Sequence, residues 1–352
     1  MPVSHRATFP WPAQTATGVG SMPGTDPDEA IAVILGELPN LPHLPELPAR
    51  GPGADLVGRT AALLVDMPVE TTATGWRLAE RRGRDLAFAA GLMSADLDAM
   101  EAATAGYAGA FKIQLCGPWT LGASLELTRS IEPALTDAGA IADLTASLAE
   151  AVAAHVAAVR RRLPDATLLV QFDEPALPGV LAGSVPSASG LRRVPAVEES
   201  VAVDGLRDVF AAASAPTIVH CCAPRPPFGC VTRSGATAVS FDLALLRREE
   251  EDAVGEVAES GLGIAIGAVP ALEAAGTGGA SVSPEHAARE TARTVVGLWR
   301  RIGLPAAALT DQVVVTPACG LAGTSPARAR AVLTQCQASA NFIPELIEEG
   351  VR

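Results

Sequence analysis

Short aliphatic runs alternate with long helical patterns along this chain, and that alternation restricts the fold more than any other feature. Runs at 61–65, 111–115, 167–172, 217–220, 238–241, 263–266 and 313–316 have the length and apolar character of buried strands. Amphipathic patterns such as 138–162 and 284–302 lie between them. Short apolar runs joined by helices imply parallel strands linked by crossovers. A first run at 16–20 brings the number to about eight, as a closed barrel requires. The expected fold is therefore α/β: a (β/α)8 TIM barrel forming a single domain over residues 1–352, a length that suits it. There is no internal repeat and no linker. An open doubly wound sheet is the alternative architecture. The proline-studded stretch 38–53 is too rich in proline for regular structure and reads as an ordered loop or a partial lid.

Composition excludes several partners. The formal net charge is −13, with no basic footprint of the kind nucleic acid requires. Arg160, Arg161 and Arg162 close a predicted helix, where they complement its dipole. An acidic surface also disfavours anionic membranes. The N-terminal stretch lacks an apolar signal segment, and no run reads as long and apolar enough to span a bilayer. A cytoplasmic location is expected, with reduced cysteines serving packing, metal binding or catalysis.

The unusual polar residues gather at one place in the expected barrel. Ser21, Asp66, Cys116, Asp173 with Glu174, His220 through Cys222, Asp242, Gly267 and Cys319 with Gly320 each lie at or just past the C-terminal end of a predicted strand. In a barrel those ends converge on the catalytic face. His220 and Cys222 stand two apart, so an extended strand end turns both to one side and Cys221 to the other. Cys319 and Asp242 could complete a set of two thiolates, an imidazole and a carboxylate, which suits tetrahedral zinc. The plainer reading is that each cysteine is a small buried hydrophobe, as expected for Cys116, Cys230 and Cys336. Of the adjacent pair Asp173 and Glu174, one should face the pocket; a helix cap before Pro175 is the other role open to them.

Five segments, GVGSMPGTD, LCGPWTL, VQFDEPAL, IVHCC and TPACGL, occur in an order that resembles the C-terminal catalytic barrel of the cobalamin-independent methionine synthase family. The resemblance spans nearly the whole chain. It implies zinc held by His220, Cys222 and Cys319, with Asp242 standing where the family has a glutamate one methylene longer. It also implies an amino-acid substrate held by Ser21 and Asp173, with Glu70 of MPVETT as a looser match near the amine. The implied activity is a methyltransferase (homocysteine S-methyltransferase) in methionine biosynthesis. Homocysteine would be the thiol acceptor, and the methyl donor a folate or a corrinoid, which a carrier protein could present. The folate-dependent members carry a second N-terminal barrel that this single-barrel chain lacks. Two further readings compete. A uroporphyrinogen-decarboxylase-like barrel would need pocket arginines, of which only Arg225 follows the histidine-cysteine motif. A zinc- or thiol-binding protein without turnover is the other.

Overall fold

Polar residues at alternate positions inside otherwise apolar strands organise the molecule. The structure, a computed structural model, describes residues 9–272 and 283–350. Its strands are β1 (Thr15–Ala16), β2 (Val69–Thr71), β3 (Trp76–Leu78), β4 (Ala110–Cys116), β5 (Leu125–Glu126), β6 (Thr167–Asp173), β7 (Thr217–Cys221), β8 (Ala238–Asp242), β9 (Gly263–Val269) and β10 (Val313–Pro317). Seven of them form one curled parallel sheet in the order β1-β10-β9-β8-β7-β6-β4. The remaining three make a small mixed sheet, β2-β3-β5.

Successive residues of a strand point to opposite faces, so each strand of the large sheet serves two environments. Phe111, Ile113 and Leu115 join the main core, which also includes Leu144, Leu148 and Val152 from the helix Ala138–Arg162. The other face carries Ala110, Lys112 and Gln114. Ala110 belongs to a separate apolar cluster with Leu41, Leu169, Ile218, Ala238, Ala265 and Val314. Trp11 fills the space between these small residues, its indole N–H donating to the Asp311 carbonyl at 3.1 Å. Trp11→Ala should empty this layer and cost about 3–5 kcal/mol, read as a lower urea midpoint with an unchanged slope. A variant as stable as the parent would show that the layer does not depend on this side chain.

The expected strand at 61–65 does not form. Asp55 Oδ1 accepts from Val57 N and Gly58 N at 3.1 and 2.8 Å, capping a helix, Leu56–Ala61, that consumes the start of the apolar run. The proline-rich segment supplies strand-like pairing instead. Leu44 N donates to Lys112 O and Lys112 N to Pro42 O, both at 2.9 Å; Glu46 N donates to Gly20 O at 3.1 Å and Met22 N to Glu46 O at 2.8 Å. The segment therefore bridges the β4 edge at His43 and the β1 side at Ser21. Pro42 and Pro45 lack N–H donors, so these contacts stay as isolated bridges and do not extend into a ladder. Of the two readings of this stretch, its burial suits an ordered loop: Leu38, Leu41, His43, Leu44 and Leu47 are fully buried.

The helix Ala138–Arg162 corrects one more expectation. Its 25 residues are long and apolar enough to cross a membrane by length and composition. Nine of them are buried in the protein, which accounts for the apolar content without a bilayer.

Candidate metal and amino-acid site

Strand register places the site. Cys116 is level with Asp173, Asp173 with His220, and His220 with Ser240 across four adjacent strands. Side chains paired this way share a face, and their strands end together. A cavity of about 300 Å³ lies there, lined among others by Ser21, Glu46, Asp173, His220, Cys222 and Cys319. Residues far apart in sequence meet as the predicted convergence required, and among the described residues no arginine lines the cavity.

His220 is 3% exposed, and its Nδ1 pairs with Ser240 Oγ at 2.9 Å. Its Nε2 is buried without a hydrogen-bond partner. An imidazole fixed through one nitrogen with the other free has the arrangement of a metal ligand. The sulfurs of Cys222 and Cys319 are 3.6 Å apart and share a hydrogen bond. Two thiolates on one tetrahedral zinc, at about 2.3 Å each, would stand about 3.8 Å apart. The hydrogen bond to Cys222, and then the nearby His220, draw the Cys319 thiol down to about 4, and the same sulfur pairing raises Cys222 well above the ordinary thiol range. Among the described residues no cluster of three or more His, Cys, Asp or Glu side chains forms a finished metal cage. The donors present nevertheless fit zinc in type, in the spacing of the sulfurs and in the free imidazole nitrogen. Asp242 does not line the cavity. Its Oδ1 caps Ala244 N at 2.8 Å, though its charge is felt by Cys319 and His220.

The paired carboxylates divide their roles. Asp173 lines the cavity, and its Oδ1 accepts from Gln171 Nε2 at 2.7 Å. Glu174 points away and caps the helix Pro118–Ser124, accepting from Trp119 N, Thr120 N and Thr120 Oγ1 at 3.0, 2.8 and 2.7 Å. Gly117 is required there, because a Cβ would strike that carboxylate. Ser21 sits between the two halves of the site. It bridges to Glu46, its carbonyl accepts from Leu321 N at 2.8 Å, and its hydroxyl packs against Gly320 where a Cβ would collide.

Glu70 is not brought to the cavity. It pairs with Arg77 across β2 and β3 at 2.6 Å, with its side chain 44% exposed. Asp66 is likewise exposed outside it. The carboxylate that does line the cavity beside Asp173 is Glu46, which sequence reasoning missed. It is 5% exposed, its Oε1 lies 3.6 Å from Arg59 Nε, and neither atom has a hydrogen-bond partner. Burial drives Glu46 up to about 7 against the pull of Arg59. Lys112, Gln114 and Gln171 were missed as well. Their signal was in the sequence: polar residues two apart, Lys112 with Gln114 and Gln171 with Asp173, inside the otherwise apolar runs AFKIQLC and TLLVQFD.

Buried histidines give the fold a pH signature. His43 and His155 are both driven down to about 3, chiefly by burial, with Lys112 contributing at His43 and Arg59 with Arg162 at His155. Burial also holds Glu46 and Glu174 up near 7. Between pH 6.5 and 4.5 the unfolded chain takes extra protons on the histidines while the folded chain takes them on the glutamates, so the two effects oppose. Below 4.5 the two buried histidines pull in one direction, and they lower stability with falling pH by up to about 3 kcal/mol per unit until about pH 3. Urea midpoints measured from pH 7 to 3 should break downward near 4.5, and His155→Gln should halve that limb. An unchanged limb in the variant would refute this assignment.

Donor side chains and buried carboxylates gathered at the C-terminal ends of a parallel sheet define an α/β enzyme site. The cobalamin-independent synthase catalytic domain matches residues 13–341, so the chain belongs to that family. It is accordingly a methyltransferase. Of 44 matching solved chains, a B12-independent methionine synthase from Shewanella sp. W3-18-1 in complex with selenomethionine is 12% identical, with a TM-score of 0.61. The match covers 96% of this chain and 99% of that one, a likeness of fold. No curated protein matches.

Proposed function

We propose that this chain methylates the thiol of homocysteine to give methionine, with zinc held by His220, Cys222 and Cys319 and with Asp242 as a fourth, replaceable ligand. The observation that carries the reading is one cavity lined by both the His220–Cys222–Cys319 donors and two buried carboxylates. That combination suits an amino acid bearing a soft nucleophile. Zinc, when bound, favours the substrate thiolate at neutral pH and leaves it nucleophilic. Glu46 and Asp173 hold the ammonium by charge-assisted hydrogen bonds, and Ser21 orients the amino-acid end. Anchoring that end restricts where the sulfur can lie, which lowers the entropic cost of meeting the methyl group. Asp242 is already engaged at Ala244 N, which suits a ligand that yields its place.

The methyl donor is a methylated folate or a methyl-corrinoid, free or on a carrier protein. Zinc-loaded protein supplied with homocysteine and each donor in turn separates the two by methionine formed, read by mass spectrometry. Methionine from either supports the reading. Bound zinc and homocysteine with no methionine from any donor would overturn it in favour of a binding protein without turnover. The decarboxylase reading is disfavoured because no arginine lines the cavity among the described residues.

The same reading extends to architecture. The 41–47 segment is an irregular eighth stave that closes the sheet into a (β/α)8 barrel, supported by its bridges to both sides and by Leu41 in the inner cluster. The chain acts as a single domain. All six cysteines are free, in keeping with a reducing cytoplasm.

A further inference from the structure

Beneath the cavity lies a buried cation that the chemistry above does not use. Lys112, in the middle of β4, is fully buried. Its ammonium donates to Val19 O at 2.9 Å, Gln171 Oε1 at 2.8 Å and Gln114 Oε1 at 3.3 Å, so all three N–H groups are satisfied. Gln171 then turns its amide to one cavity carboxylate, and Gln114 stands beside the other. Gln171 Nε2 donates to Asp173 Oδ1 at 2.7 Å and to Val19 O at 2.8 Å. Gln114 Nε2 donates to Leu44 O at 2.5 Å, and its side chain lies near enough to Glu46 to favour the charged carboxylate. A primary amide whose oxygen is held by a cation has its NH2 oriented away from it, and its donor strength is raised by polarisation.

We propose that Lys112 is a positioning residue for substrate selection: through Gln171 and Gln114 it sets Asp173 and Glu46 as a pair of oriented anions that select the α-ammonium of the amino-acid thiol. This rests on the function proposed above and deepens it. A purely structural lysine would need only to satisfy its own donors, and three backbone carbonyls would serve. Here two of the three acceptors are side chains that pass the interaction on to the cavity. The cation also offsets part of the repulsion between two carboxylates in one cavity, beside Arg59 at Glu46.

The test compares L-homocysteine with 4-mercaptobutanoate, which has the same thiol and carboxylate but no amine, by calorimetric titration of the zinc-loaded protein. The parent should prefer homocysteine strongly. Lys112→Met should lose roughly 10- to 100-fold of homocysteine affinity while binding of the des-amino thiol changes little, and in turnover KM should rise far more than kcat falls. Gln114→Leu and Gln171→Leu, each removing one arm, should lose part of the same preference and keep the question answerable if Lys112→Met does not fold. Variants that keep the parent's preference, or that lose both ligands equally, overturn the role of Lys112. A parent with no preference for the amine overturns the proposed function itself.

Discussion

Cys222→Ala and Cys319→Ala should each take zinc from about one per chain to nearly none and lower methyl transfer on the order of a thousandfold, the effect of removing several kcal/mol of charge stabilisation. Neither change should unfold the protein, because Cys319 is exposed and Cys222 only half-buried at the cavity. Cys336→Ala provides the contrast. That thiol is fully buried in the helix Pro326–Glu349, so its loss should weaken the fold and leave zinc content intact. Metal content by mass spectrometry beside circular dichroism separates the two outcomes. Cavity variants that retain both zinc and activity would remove the sulfur pair from the site.

Glu46→Gln should cost about a hundredfold or more in homocysteine affinity, since it removes a buried charge that the substrate ammonium would complete. Glu70→Gln should change the same affinity by less than about twofold, because Glu70 serves a partly exposed pair with Arg77. Isothermal titration with homocysteine measures both. The reverse ranking would restore Glu70 to the site and displace Glu46.

Most of the large parallel sheet was legible because parallel strands buried on both faces read as aliphatic runs. Strands β4 and β6 to β10 lie where those runs were placed. The exception is instructive. The run at 61–65 is as apolar as the others, but the Asp55 cap commits its approach to a helix. The segment at 41–47, proposed above as the eighth stave, is broken by prolines that deny it a regular ladder, so neither periodicity nor propensity marks it as sheet. Losing that stave also hid Glu46, which reaches the cavity only because the segment runs between Ser21 and Lys112.

The site itself was legible to differing degrees. His220, Cys222, Cys319, Asp173 and Ser21 follow from strand ends and two-residue spacing, and all line one cavity. Asp242 was placed at the right strand end, but the turn after it draws its carboxylate to its own backbone, a local competition common for aspartate. The interior polar ladder of Lys112, Gln114 and Gln171 was visible as alternation. Its meaning depended on knowing which face of the strand is the inside, and only the curl of the sheet supplies that.

The most direct test of the account is the number of protons released when zinc-loaded protein binds L-homocysteine near pH 7, measured calorimetrically in buffers of different ionisation enthalpy. Activation of the thiol by the His220–Cys222–Cys319 site predicts release of about one proton per homocysteine bound, and none in Cys319→Ala. Tight binding without proton release would mean that the thiol stays protonated in the cavity, and would contradict the mechanism.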